Sequence, residues 1–253
     1  MQREIVLEPL DVDSLEIHNL AYKLKSSARE YDLEVTEAVA KELVEYLLYI
    51  LQVNNYINLT RIDDVDQALV LHLLDSLLFC SVWPNGTESF LDMGTGAGFP
   101  GVPVHLLTGC DCTLIDSVGK KLGVVQTVLE KMNISEGVRI EHDRLETFGI
   151  KEKDSYDVVL ARALAPLPTL IEYAAPLLAM HGYLIVSKGV PTMEELRKGD
   201  RAASLCGLKI IQTKDLELPN HLGTRKLLLY QKIAKPSISL PRAVGLAKKS
   251  PLA

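Results

Sequence analysis

The 253-residue chain is poor in cysteine, and its four (Cys80, Cys110, Cys112 and Cys206) form neither a CxxC pair nor a dense disulfide pattern. That excludes a secreted disulfide scaffold and points to reduced thiols in a cytoplasmic protein. No run reaches the ~18 uninterrupted apolar residues that a membrane span needs. The longest candidate, residues 170–186, is broken by Glu172, Pro176, His181 and Gly182. Met1 to Pro9 carry acids and a proline where a signal peptide needs its apolar region. Internal repeats and low-complexity tracts are absent as well. What is present is ordinary for a globular chain: 47% hydrophobic and 24% charged residues, ample for a substantial core. The length suits one large domain, or one domain with an appendage.

Acidic residues are missing after Glu217, whereas Arg225, Lys226, Lys232, Lys235, Arg242, Lys248 and Lys249 all follow it. The formal charge of −6 therefore conceals an uneven split. Removing those seven from the 27 basic residues leaves 20 against 33 acids, so residues 1–217 carry −13 and the remainder +7. Such asymmetry suggests a polyanion-facing tail on an acidic body; a merely solvated tail is the alternative. Residues 235–251, with scattered prolines and cations, lack a helical or strand period and read as an extended chain suited to lie along phosphates.

Periodicity divides the rest. The first ~80 residues read as helical: Val39, Leu43, Leu47 and Leu51 share one face of a helix over 35–53 that Thr36 can cap, and Asp63-Asp64 can cap another through about Cys80. Trp83-Pro84-Asn85-Gly86 then makes a turn. From Ser89, short apolar runs alternate with helical stretches. Candidate strands cover 89–93, 112–116, 138–141, 156–161, 183–187, 208–213 and 226–231, with helices near 102–107, 120–132, 167–178 and 192–206. This alternation implies βαβ units and a mostly parallel sheet covered on both faces. The last two runs are joined through 219–223 without a helix, so the final strand is expected to be antiparallel.

The strongest local signal is Phe90-Leu-Asp-Met-Gly-Thr-Gly-Ala-Gly-Phe-Pro-Gly101, a strand ending in an acid followed by a glycine loop that opens a helix. Gly94, Gly96 and Gly98 fit the D/E-x-G-x-G-x-G pattern of S-adenosylmethionine enzymes, while Gly96, Gly98 and Gly101 equally satisfy the dinucleotide G-x-G-x-x-G. Asp116, twenty residues after Gly96, would meet a ribose diol in either case. Two features favour the sulfonium cofactor. Asp92 places a carboxylate before the glycines, near a cationic methionyl end, and Pro100 and Pro103 remove N–H donors that a pyrophosphate would use. An NAD(P)-dependent Rossmann oxidoreductase stays open at this point.

Seven blocks in order give the chain a family resemblance: Asn58-Leu-Thr60, His72-Leu-Leu-Asp-Ser-Leu77, the 92–101 loop, Asp116-Ser117 with Lys120-Lys121, Asp143-Arg-Leu-Glu146, Ala161-Arg-Ala163 and Ser187-Lys-Gly189. They resemble the RsmG (GidB) family of 16S ribosomal RNA guanine-N7 methyltransferases, from about residue 40 through a similar basic end at 241–252. The resemblance implies a class I SAM-dependent methyltransferase fold: α/β, Rossmann-like, with a seven-stranded mostly parallel sheet and an antiparallel last strand. It also implies an N-terminal helical cap over 1–86, a methyltransferase domain over 87–233 and a basic tail over 234–253. S-adenosyl-L-methionine is the implied cofactor and 16S rRNA or the 30S subunit the implied partner, for a cytoplasmic monomer without a membrane role; a non-catalytic ribosome-binding protein that keeps the fold is a rival reading.

Carried over by position, Gly94 and Phe99 would line the methionyl and ribose region, with Gly96 and Gly98 of the loop as further cofactor-binding candidates, and Asp116, Ser117 and Val118 would meet the ribose and adenine. Leu145 and Glu146 match the pair beside the adenine, and Arg162 the cofactor-contacting arginine. Met93, Leu145 and Leu164-Ala165-Pro166 depart from the commoner valine, alanine and Val-Ala.

Guanine N7 exposes an unprotonated lone pair, so methyl transfer to it needs no general base. The absence of an obvious nucleophile–base pair suits that chemistry and disfavours cytosine C5 methylation, which needs a cysteine nucleophile. Arg162, Lys188 and Asn58 are the substrate-positioning candidates. Each has a plainer role available: an ion pair for Arg162, a surface position for Lys188, turn stabilisation for Asn58. His72, Asp75 and Ser76 share one helical face, where they either form a buried polar network or line the RNA entrance. Lys120 and Lys121 either hold RNA or face solvent.

Overall fold

The computed structural model describes residues 5–10 and 12–252. The reading of Met1 to Glu4 as part of a polar N-terminus lies outside the described residues. Seven strands form one sheet: β1 (Ser89–Met93), β2 (Asp111–Asp116), β3 (Val138–His142), β4 (Tyr156–Arg162), β5 (Leu178–Lys188), β6 (Leu208–Glu217) and β7 (Thr224–Lys232). Their spatial order is β3-β2-β1-β4-β5-β7-β6. The first five run parallel, and β7 lies antiparallel between β5 and β6. This is the class I methyltransferase sheet, with the expected hairpin closing at Pro219–His221. Between β1 and β4 the winding reverses direction, and the crevice beyond the strand ends at such a point is where open α/β sheets bind ligands.

Alternation along the strands explains the two-sided core. Phe90, Val158, Leu160 and Ile185 face one side, where they join the N-terminal helices and the Gly101–Thr108 and Gly119–Met132 helices. Leu91, Val159, Ala161 and Val186 face the other side, against the Leu167–Ala174 and Met193–Cys206 helices. The N-terminal helices Ser14–Arg29 and Glu37–Asn54 thus share a continuous core with the sheet. Thr36 caps the second by accepting from Val39 N–H at 3.2 Å, and Asp64 caps the next by accepting from Gln67 N–H at 2.8 Å.

That next helical run, Val65–Val82, is the one helix among the described residues long and apolar enough for a membrane span, with a mean hydropathy of 1.5. It carries Asp66, His72 and Asp75, and two-thirds of it (67%) is buried against the protein. Burial in this core accounts for its apolar character. A π-helical stretch, Leu69–Leu74, loosens it at His72.

Three expectations need correction. The helix expected over 167–178 ends at Ala174, because Leu178 already begins β5. A short helix, Leu145–Lys151, escaped the periodicity reading. The C-terminal segment is not an extended chain. It folds back onto the Leu167–Ala174 helix, where Arg242 grips buried Glu172 with two hydrogen bonds (2.7 and 2.6 Å) and Ala247 is buried. Gly245 N–H donates to Glu146 at 2.8 Å, and Leu246–Lys249 makes one helical turn. Isolated anchors hold this segment, and isolated anchors leave no periodic trace.

Candidate active site

The glycine loop begins where β1 ends. Gly94 N–H and Thr95 N–H both donate to Ile115 O at the end of β2 (2.8 and 3.1 Å), which curls the loop over the sheet edge. Gly96 N–H donates to Asp116 Oδ2 at 3.0 Å, while Asp116 Oδ1 accepts from Val118 N–H at 2.8 Å. The acid expected to meet a ribose diol therefore sits directly beside the loop. Gly98 has φ +83°, and a Cβ there would lie 2.1 Å from Tyr46 Oη. Tyr46, fully buried on the Glu37–Asn54 helix, donates to Ala97 O at 2.9 Å. Phe99 packs edge-on to Tyr46 (5.6 Å) and stacks on His72 (4.9 Å). Its ring thus ties the loop to the N-terminal helices. Tyr46 escaped notice because a tyrosine on an apolar helix face reads as core.

Asp92 does not face the ligand crevice as its place before the glycines suggested. It is buried beneath the loop and accepts from Gly101 N–H at 2.8 Å. Burial raises its carboxyl to about 6, against the hydrogen bonds that pull the other way. The first turn of the following helix has no N–H to spare: Gly101 donates to Asp92, Val102 to Gly98 O and Val104 to Pro100 O, and Pro103 has none. A pyrophosphate would find no donor at this helix start, which disfavours a dinucleotide.

Two cavities flank the turn at residues 162–164. The first is lined by Gly94, Asp116, Ser117, Leu145, Glu146 and Leu164, among others. Those residues fit an adenosyl group: a carboxylate beside an open glycine loop, with apolar side chains opposite. The enclosed space is narrow, about 80 Å³, because Leu164 lies against Gly94, and Gly245 and Lys248 border the cavity. Val118 is exposed beside Ser117. Glu146 is buried and committed to Gly245 N–H and, at 3.4 Å, to Tyr173 Oη. It braces the C-terminal segment over this cavity.

The second cavity, about 370 Å³, is lined by Leu71, His72, Arg162, Ser187, Lys188 and Arg225, among others. Arg162, matched by resemblance to a cofactor contact, stands here, paired through Nη1 with Asp75 Oδ2 at 3.0 Å. Arg225 Nε donates to Asp75 Oδ1 at 2.8 Å. Asp75 thus belongs to a buried polar network that also lines this cleft. Burial and then Arg162 lower the His72 pKa to about 4, leaving a neutral ring bonded to Thr60 Oγ1 at 2.8 Å. Lys188 lines the cleft with its ammonium on Glu195 (2.8 Å) and Ala165 O (3.2 Å). Asn58 is exposed; Asn54 holds its turn by accepting from Leu59 and Thr60 N–H. Lys120 is exposed and Lys121 half-buried. Burial raises the Cys112 thiol, and holds that of Cys206 at about 12, so neither is poised as a nucleophile.

The GidB family, described as rRNA small subunit methyltransferase G, matches residues 39–224 of the chain. The chain belongs to this family. A "Ribosomal RNA small subunit methyltransferase G" from Desulforamulus reducens is 32% identical over 94% of this chain and its own full length (100%). The protein of that name from Chloroflexus aggregans is 33% identical, covering 88% of this chain and 94% of its own. Among solved structures, geranyl diphosphate methyltransferase in complex with SAM superposes with a TM-score of 0.52 at 15% identity, over 63% of this chain and 84% of its own. TYW2 of P. horikoshii in complex with MeSAdo gives 0.52 at 11%, over 63% and 62%. At these identities the structural likeness carries the fold alone. This GidB-family chain is an rRNA methyltransferase by family.

Proposed function

We propose that this protein transfers the methyl group of S-adenosyl-L-methionine to N7 of a guanine in 16S rRNA, acting in the cytoplasm as a monomer on the rRNA or the 30S subunit. The observation that carries the reading is the pair of cavities at one sheet edge. One combines the glycine loop with Asp116, and the other is lined by the cations Arg162, Lys188 and Arg225. When bound, the cofactor supplies an electrophilic methyl group. The protein's own residues bind and orient. Gly94, Gly96 and Gly98 shape the loop, Asp116 and Ser117 take the ribose side, and Leu145 and Leu164 the apolar side. Arg162 and Lys188 border the base cleft. N7 needs no deprotonation, so alignment is the main task, and alignment alone can supply ~7–11 kcal/mol. In this reading the helical cap braces the loop and lends Leu71, His72 and Asp75 to the base cleft, the methyltransferase domain lines the rest of both cavities, and Gly245 and Lys248 of the basic tail border the cofactor side.

The test is transfer of labelled methyl to 30S subunits or 16S rRNA, with mapping of the modified base. Label on a guanine N7 is expected, and label on a pyrimidine would overturn the mechanism. S-adenosylhomocysteine at ~100 times its Kd should add ~2.7 kcal/mol of stability, and NAD(H) none. A light-scattering mass of one chain checks the monomer.

A further inference from the structure

Three neighbouring strands present side chains to the same face at the sheet's C-terminal edge. Arg162 on β4 lies opposite Ser187 on β5, and Arg225 stands on the adjacent β7, two residues before Leu227, the partner of Ser187. Strand alternation puts all three on the side of Leu160, Ile185 and Leu227, facing the Val65–Val82 helix. From that helix Asp75, only 3% exposed, reaches across and gives one oxygen to each guanidinium. Its acceptor capacity is thereby directed at the arginines.

The arginines are not exhausted. Arg162 uses Nη1, for Asp75 and Leu71 O, and Arg225 uses Nε and Nη1, the latter on Thr224 O. Arg162 Nε and Nη2 and Arg225 Nη2 have no hydrogen-bond partner among the described residues, and the Ser187 hydroxyl between them is buried and unpartnered. The charged side chains that line the cleft therefore offer it donors, while their one carboxylate is occupied.

We propose that the Arg162–Asp75–Arg225 bridge selects the base: a cleft presenting donors matches the O6 acceptor beside guanine N7 and rejects adenine, which brings an amino donor to that position. This rests on the guanine-N7 reading and adds which edge feature is read and by which residues. Arg225 touches the base, and Asp75 is a positioning residue that fixes it beside Arg162. Guanine presents N7 and O6 as adjacent acceptors, whereas adenine replaces O6 by N6–H₂. Sites built to hydrogen-bond a substrate group discriminate strongly against analogues without it, because buried polar groups are then left unpaired.

The test uses the full-length protein and 30S subunits whose target guanosine is replaced by inosine, which keeps O6, or by 2-aminopurine, which lacks it. The wild-type protein should methylate guanine and inosine with kcat/KM values within about tenfold, and 2-aminopurine at least about 100-fold less well. Arg225→Gln should lower kcat/KM on guanine and inosine by roughly 10–100-fold and leave 2-aminopurine nearly unchanged. Taking the ratio of variant to wild type on each base cancels the bases' intrinsic reactivities. Equal losses on all three bases would overturn the proposal, since a phosphate-binding or purely structural arginine acts regardless of the base. Asp75→Asn should reproduce the collapse in discrimination; if it fails to fold, Arg225→Gln still decides. S-adenosylhomocysteine affinity should be unaltered in Arg225→Gln. A wild-type protein that labels no guanine would sink the methyltransferase reading itself. One that labels guanine and 2-aminopurine alike would sink only the O6 proposal.

Discussion

A methyl group at Gly98 would collide with Tyr46 Oη, while one at Gly96 would meet nothing within 4 Å. Both glycines have positive φ (+83° and +60°), so both substitutions incur the left-handed penalty of roughly 1–2 kcal/mol. Gly98→Ala should therefore cost clearly more stability than Gly96→Ala, because it also displaces the brace beneath the loop. Denaturant midpoints would check this, and equal losses would mean that Tyr46 moves aside freely. Asp92 gives a pH signature at the same scale. Burial holds its folded-state pKa at about 6, against 3.8 ordinarily. The folded protein keeps this proton longer than the unfolded chain, so the contribution to stability falls as pH rises from ~4 through ~6. Above that range the ionised carboxylate carries the full penalty, of order 3 kcal/mol at most. Asp92→Asn should raise the denaturation midpoint at pH 7.5 and leave it unchanged at pH 4. An equal effect at both pH values would show that ionisation is not the cause.

At the scale of elements, what the sequence made legible was whatever repeats. Short apolar runs alternating with helical stretches located all seven strands, and the glycine loop with Asp116 pointed to the cavity proposed for the cofactor, because those patterns are local. The contacts that finish the site are not local. Asp75 meets Arg162 and Arg225 from 87 and 150 residues away, and Glu146 meets Gly245 across 99. No spacing rule encodes such pairs, so the base cleft appeared in the sequence only as separate polar residues. The C-terminal segment is the sharpest case. Arg242→Ala would leave Glu172, 3% exposed, without its partner, and breaking a buried pair in this way costs ~3–5 kcal/mol. Since the same segment borders the cavity proposed for the cofactor, the variant should also weaken S-adenosylhomocysteine binding by calorimetry. Unchanged affinity with reduced stability would mean that the segment only packs.

For the whole molecule, the division into −13 and +7 needs a second division. Arg225 pairs with Asp75, Lys226 with Asp215, Lys232 with Asp154 and Arg242 with Glu172. Four of the seven late cations therefore answer acids within the fold. Lys232 is buried, and its ammonium also donates to two backbone carbonyls. Lys235, Lys248 and Lys249 are exposed and make no ion pair among the described residues. Charge asymmetry along a chain thus overstates the charge offered to a polyanion whenever the acidic part folds against the basic part. The consequence is quantitative. Each phosphate contact contributes about 0.7–0.9 to the slope of log affinity against log salt. Replacing Lys235, Lys248 and Lys249 together by Gln should flatten the slope for 16S rRNA binding by about 2–3. The slope that survives should be carried by exposed cations elsewhere, Lys120 among them. Filter binding across a salt series would measure it. An unchanged slope would remove the C-terminal segment from the RNA interface and leave it only the task of covering the cofactor cavity.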